Sequence, residues 1–179
     1  MRKNGYKPPM YILGGIFMNI KTINIGNPEK AIESLNEIKD KNYGNIDIKI
    51  ENLHLKELNK LLNNNVFKQN DAYVSAETLW QIMQPAGMKI VHNTHGLSPE
   101  IILQALKDAS HPFCILKSYL NRYVTISSFE INESRVLIII EINASLRKNH
   151  EAKINKIVTI YPSDSINAYL RNKKILYLR

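Results

Sequence analysis

The chain has 179 residues, 44 % of them hydrophobic, with a formal net charge of +8 and a pI of about 9.5. That length suits one ordinary domain, or one domain with a small subdomain, and the apolar share is enough for a sizeable core. The basic excess favours a polyanionic partner, whether RNA, DNA or an anionic surface. Cys114 is the one cysteine, so an internal disulfide and a cysteine-built zinc cage are both excluded. No stretch approaches the roughly 18 apolar residues of a membrane span. The charge is uneven: residues 89–179 hold 13 Lys/Arg against 7 Asp/Glu, and residues 1–88 hold 11 against 9. An anion site is therefore expected in the second half.

In chain order, residues 1–17 carry Arg2, Lys3 and Lys7 before a short apolar run, without the small-x-small site of a secretory signal. Gly14-Gly15 lies just upstream of Met18, where tandem GGN codons can encode a purine-rich ribosome-binding site. Residues 1–17 are thus expected to be a non-native or disordered extension. Residues 18–87 read as a mainly helical N-terminal α/β region, an adaptor or accessory to the second half. It holds a short strand at residues 19–25 and a helix after Asn27-Pro28, with apolar residues at 31, 32, 35 and 38. A strand alternates through Ile46, Ile48 and Ile50, and a leucine-rich helix covers residues 53–62. Ser75 caps a third helix, AETLWQIM, stopped by Pro85 and Gly87.

Residues 88–179 have another texture. Ser98, Pro99 and Glu100 open a strong helix through about residue 109. Three runs rich in β-branched and aromatic residues come next, FCILKS, RYVTISSFE and RVLIIIEIN, with a turn at Asn132-Glu133-Ser134. AKINKIVTIYP is a fourth strand, Ser163 caps a last helix, and ILYLR is a last strand. The expected fold is α+β: an antiparallel sheet of four to five strands, with a helix before it and one after.

No P-loop, GxGxxG, HExxH or GxSxG occurs. The chemistry has to come from scattered residues. His92 and His95 stand in the loop ahead of the 98–109 helix, where a side chain and free N–H groups can face a ligand together. On the residues alone they read more readily as solvent-facing loop residues. Lys117-Ser118 ends the first long strand, and a cation beside a hydroxyl can hold a phosphate. The bland alternative is a solvated edge blunted by lysine. Strict alternation puts Lys153, Asn155, Thr159 and Tyr161 on one face of the fourth strand and Lys156 on the other. A polar and aromatic stripe of this kind suits single-stranded RNA, although any half-exposed strand also alternates. No ligand set for a metal completes around the histidines.

The order HGLSPEIILQALKD, HPFCILKS, LIIIEIN, NKIVTIYPSD, KILYLR resembles the C-terminal toxin domain of phage MuF-type polymorphic proteins, over residues 88–179. That domain is placed in the phage branch of the barnase–EndoU–colicin E5/D–RelE-like superfamily (BECR fold), mostly metal-independent ribonucleases. The matching positions are His95, Lys117, Ser118, Thr159 and Tyr161. Thr159 stands where the family has serine, and Leu106-Lys107 replaces a leucine-proline within the helix. The resemblance implies an endoribonuclease without cofactor or metal, cutting RNA (tRNA among the candidates) by 2′-OH attack. His95 would be base or acid, Lys117 and Ser118 would hold the scissile phosphate, and Thr159 and Tyr161 would position it or donate a proton. Lys153, Asn155 and Lys156 would bind substrate. A cognate acidic immunity or antitoxin protein is the implied protein partner. No membrane is implied, and the setting is the cytoplasm of the producing or target bacterium, or a phage virion. Two other classes stay open. One is a silent nucleic-acid- or protein-binding phage module. The other is an ADP-ribosyltransferase-type enzyme, for which Glu141 is the one strand-centre glutamate. For the N-terminus, mass spectrometry of the natively expressed protein is expected to find chains beginning at Met18; an intact Met1 form contradicts the extension.

Overall fold

A computed structural model describes residues 21–88, 91, 94–146, 150–164, 166–171 and 173–179. The expected extension at residues 1–17 and the loop residue His92 lie outside them.

The first half folds as the local signals direct. β1 (Thr22–Asn24) is followed by α1 (Pro28–Asp40). The Asn27 side chain accepts from the Lys30 amide at 3.4 Å, and Ala31, Leu35 and Ile38 form its buried stripe. β2 (Asp47–Glu51) buries Ile48 and Ile50. The leucine-rich stretch becomes a 3₁₀ turn, Leu55–Glu57, continued by α2 (Leu58–Leu62). β3 (Ala72–Ser75) runs straight into α3 (Ala76–Met83), whose cap is Ser75 accepting from the Thr78 amide at 3.0 Å.

The second half holds α4 (Pro99–Asp108), β4 (Cys114–Lys117), β5 (Arg122–Ile131), β6 (Ser134–Ser145), β7 (Lys153–Ser163), α5 (Ile166–Arg171) and β8 (Lys174–Leu178). Ser98 caps α4, accepting from the Ile101 amide at 3.4 Å. Asn132 and Glu133 both take positive φ, the backbone of a tight hairpin turn between β5 and β6.

The fold is α+β, and the expected antiparallel set is present as β7-β6-β5-β4-β8. The sheet does not stop there. β3 pairs with β7 in parallel, β2 with β3 antiparallel, and β1 with β2 in parallel, giving one mixed sheet of eight strands among the described residues. The N-terminal region therefore adds a third strand to the two expected, while most of its regular structure is helical. AYVS is too short to show a period, and it merges into the cap of α3.

The sheet has two dressed faces. On one, α1, α3 and α4 bury Leu35, Ile38, Leu79, Ile82, Ile102 and Leu106 against Ile138, Ile140, Ile157 and Ile160. On the other, Cys114, Leu116, Val124, Ile126 and Leu137 form a smaller cluster that Leu170 of α5 packs against. Burying a large aliphatic side chain is worth about 1.5–3 kcal/mol, so the first face dominates stability.

Asn155 ties the two sequence regions together. It is buried, and its Nδ2 donates to the carbonyls of Gln69 and Asp71 at 3.0 Å each. Those carbonyls belong to the segment that leads into β3. Asn155→Ala leaves both without their partner and is expected to lower unfolding free energy by about 1–3 kcal/mol in urea denaturation. The exposed neighbour Lys153→Ala is expected to stay within about 0.5 kcal/mol of wild type.

Candidate active site

His95 owes its position to backbone anchors on either side of α4. The Gly96 amide donates to the Gln84 carbonyl at 2.7 Å, and the Leu97 amide to that of Ile82 at 3.1 Å. Gly96 has φ +64, a left-handed turn that side chains disfavour. At the far end, Asp108 accepts from the Ser128 amide and hydroxyl, each at 2.6 Å. The loop is thus held to the end of α3, and the helix to β5.

This sets the His95 ring 5.7 Å from that of Tyr161 on β7, with 34° between the planes. His95 is half-buried, and burial lowers its pKa below the usual imidazole range. Burial thus favours the neutral form of the ring.

β7 does not alternate strictly. Its register against β6 slips between Ile139 and Ile140: Thr159 faces Ile139, Ile157 faces Ile140, and Val158 is the extra residue. Ile157 and Ile160 belong to the large core, whereas Tyr161 packs on the small cluster of the opposite face. Thr159 and Tyr161 thus share their face with Lys156, which is the partner of Glu141. The expected stripe of Lys153, Asn155, Thr159 and Tyr161 is replaced by Lys156, Thr159 and Tyr161, because one bulge reverses the pleat. The Asn155 amide is committed to backbone carbonyls, and Lys153 Nζ donates to Ser145 Oγ at 3.1 Å.

Lys117 and Ser118 do not join this group. Strand β4 lies three strands from β7 in the sheet, roughly 14 Å across at the usual strand spacing. Lys117 pairs with Tyr123, a residue of the large core, so its side chain leaves the face opposite to Tyr161. Its Nζ sits 3.9 Å from the centroid of the Tyr123 ring. Ser118 Oγ accepts from Lys173 Nζ at 3.3 Å. Nor is β4 an edge strand, since it pairs with β5 and β8. Glu141 accepts from Arg122 Nε at 2.9 Å.

The structure also gathers residues that sequence reading passed over. His54, Lys107, Ser110 and His111 line one cleft of about 230 Å³, with Ser110 Oγ 3.0 Å from His111 Nδ1. His111-Pro112 reads in sequence only as a helix break, and His54 comes from the other half of the chain. No local motif joins them. Cys114 is buried and its thiol is pushed up to about 11, so it is a core residue and a poor nucleophile. Among the described residues no group of three or more His, Cys, Asp or Glu is arranged around a metal position. Among them, too, no helix is long and apolar enough to cross a membrane.

The burial of His95 has a sign. A folded pKa below the unfolded value means that the unfolded chain binds more protons as pH falls through that window. Stability is then lost as pH drops below the unfolded histidine value, about 6.5. His95→Phe is expected to flatten this part of the pH–stability curve between about pH 7 and 5. An unchanged curve contradicts the burial argument.

No curated protein matches the chain, and no solved structure does. The matched stretch of the family comparison opens in the loop before α4 and runs to the end of β8, leaving β1 to β3 outside it. The model of the phage MuF C-terminal domain family matches residues 88–179, half of the chain, and the chain belongs to that family.

Proposed function

We propose that the chain is a metal-independent endoribonuclease toxin of a phage or polymorphic toxin system. The observation that carries this reading is the His95–Tyr161 pair: a half-buried imidazole, its neutral form favoured by burial, against a phenol, both within the family-matched stretch. In the reaction a base takes the proton of the ribose 2′-OH. O2′ then bonds to phosphorus, the P–O5′ bond breaks, and the 5′-oxygen takes a proton. His95 is the proton acceptor. Tyr161 and Thr159 position the phosphate or give the leaving 5′-oxygen its proton, and Lys156 on the same face opposes the charge that builds on the phosphate. Lys153 adds a cation at the strand's exposed end. Asn155 serves by holding β7 in place. The reaction needs no cofactor.

The BECR superfamily assignment supplies the expectation of RNA and of a cognate acidic immunity or antitoxin protein that covers the basic surface. The region 18–87, adaptor or accessory, would be a delivery linker or the immunity contact, and the site of action would be bacterial cytoplasm. A second reading is favoured by the separation of Lys117 and Ser118 from His95. On that reading the domain is a nucleic-acid- or protein-binding module without turnover.

Total bacterial RNA incubated with the protein in EDTA separates the two. The proposal expects cleavage, with His95→Ala slower by about 10²–10⁴-fold. RNA left intact by the wild-type protein, with binding retained, overturns it in favour of the binding module. Cleavage undiminished in His95→Ala removes His95 from the chemistry.

A further inference from the structure

The cleft at the far end of α4 is built from both halves of the chain, and no step of the proposed reaction uses it. His54, Lys107, Ser110 and His111 line it with Gly26 and Asn52, its volume is about 230 Å³, and no carboxylate lines it. Two imidazoles, an ammonium and a hydroxyl thus share one space, and each can donate to an oxyanion. Packing accounts for part of this. Lys107 lies in the last turn of α4, where a cation complements the helix dipole. His111 follows the same helix, and its amide donates to the Asp108 carbonyl at 2.9 Å. His54 has no such account, because it comes from the loop after β2 in the other half of the chain.

Glu57 shows how near the two imidazoles come to each other. Lys60 Nζ, 2.7 Å away, is the main cause that holds the Glu57 carboxyl below its usual range, and His111 and His54 both add to it. Neither imidazole has a carboxylate within salt-bridge range among the described residues. Both rings are also placed in advance. Asn24 Oδ1 accepts from the Gly26 amide at 2.8 Å and from Asn52 Nδ2 at 2.5 Å, which ties the loop after β1 to the loop after β2. A Cβ on Gly26 would stand 3.0 Å from that same oxygen, so the tie favours glycine. Asn52 and His54 hold φ of +66 and +54, so a left-handed backbone sets where the His54 ring leaves the chain. Ser110 is 3 % exposed, and its Oγ lies 3.0 Å from His111 Nδ1, which orients the second ring. Groups held in position before a ligand arrives lose little freedom on binding it.

We propose that this cleft binds a phosphate monoester, with its three terminal oxygens taken by His54, Lys107 and His111. Three nitrogen donors from separate segments suit a tetrahedral group with three free oxygens better than a planar carboxylate with two. The site is complete only where the region before residue 88 packs on the family-matched stretch. It sits at the opposite end of α4 from His95, roughly 15 Å along a ten-residue helix. It does not rest on RNA cleavage, and a chain that never cuts RNA would still carry it. The monoester can belong to a free nucleotide or to the 5′ end of an RNA.

The test is an NMR titration of the full chain with AMP at constant pH and ionic strength. It follows the His54 and His111 ring signals, assigned with His54→Asn and His111→Gln. Asparagine tolerates the left-handed backbone, so the first variant should melt as wild type does. Both rings are expected to move and to saturate with one midpoint, and adenosine, which lacks the phosphate, to leave them unmoved. Lys107→Gln is expected to raise the midpoint about tenfold, the loss of one hydrogen bond to a charged group. Lys68→Gln, exposed and outside the cleft, is expected to leave it unchanged. A 5′-phosphorylated 2′-O-methyl trinucleotide that reproduces the shifts places the monoester on an RNA end; its failure where AMP succeeds places it on a free nucleotide. Rings that stay unmoved by AMP, or that move with separate midpoints, overturn the proposal. Shifts with inorganic phosphate but none with AMP overturn the ester. A Lys68→Gln effect as large as that of Lys107→Gln also overturns the site, marking general attraction to a basic chain.

Discussion

Strand β7 is the constraint on which the rest of the structure depends. It is hydrogen-bonded to β6 along most of its length and to β3 on its other side. Through β3 it brings β2 and β1 into the same sheet. The parallel contact is short, a single register pair at Tyr73 and Lys156, and a short parallel pairing is weak by itself. Two hydrogen bonds from the buried Asn155 amide to the chain before β3 reinforce it. The helices then close over the joint, so that Leu35, Leu79 and Ile102, from three helices, share one core with Ile157. The family-matched stretch and the region ahead of it are in this way one packed sheet.

The same strand presents the candidate chemistry. A bulge at Val158 turns Thr159 and Tyr161 away from the large core while Ile157 and Ile160 stay in it. Bulges commonly re-aim side chains next to sites, and this one gathers Lys156, Thr159 and Tyr161 on one face. His95 reaches Tyr161 because its loop is held to the end of α3.

Much of this was legible in the chain. Asn27, Ser75 and Ser98 marked three helix starts, and each is a cap in the structure. The runs of β-branched residues in the second half marked four strands, and the closing ILYLR a fifth. Three things were not legible, each for a physical reason. β3 has four residues and leads directly into a helix cap, too little for a period of two to appear. The bulge at Val158 leaves no trace in composition, so strict alternation placed Lys156 on the wrong side of its strand. The separation of Lys117 from His95 depends on strand order, and strand order is set by pairings between residues far apart in sequence. The loop histidine, by contrast, was visible from its place before a capped helix.

The central claim is that RNA reaches the His95–Tyr161 pair. The most direct measurement is the NMR spectrum of the His95 ring during titration with a 2′-O-methyl oligoribonucleotide, assigned with a His95→Gln variant. The account predicts that the His95 ring signals move and saturate together with binding. Saturated binding with those signals unmoved would contradict it, leaving the RNA on the chain but away from the residue proposed to act on it.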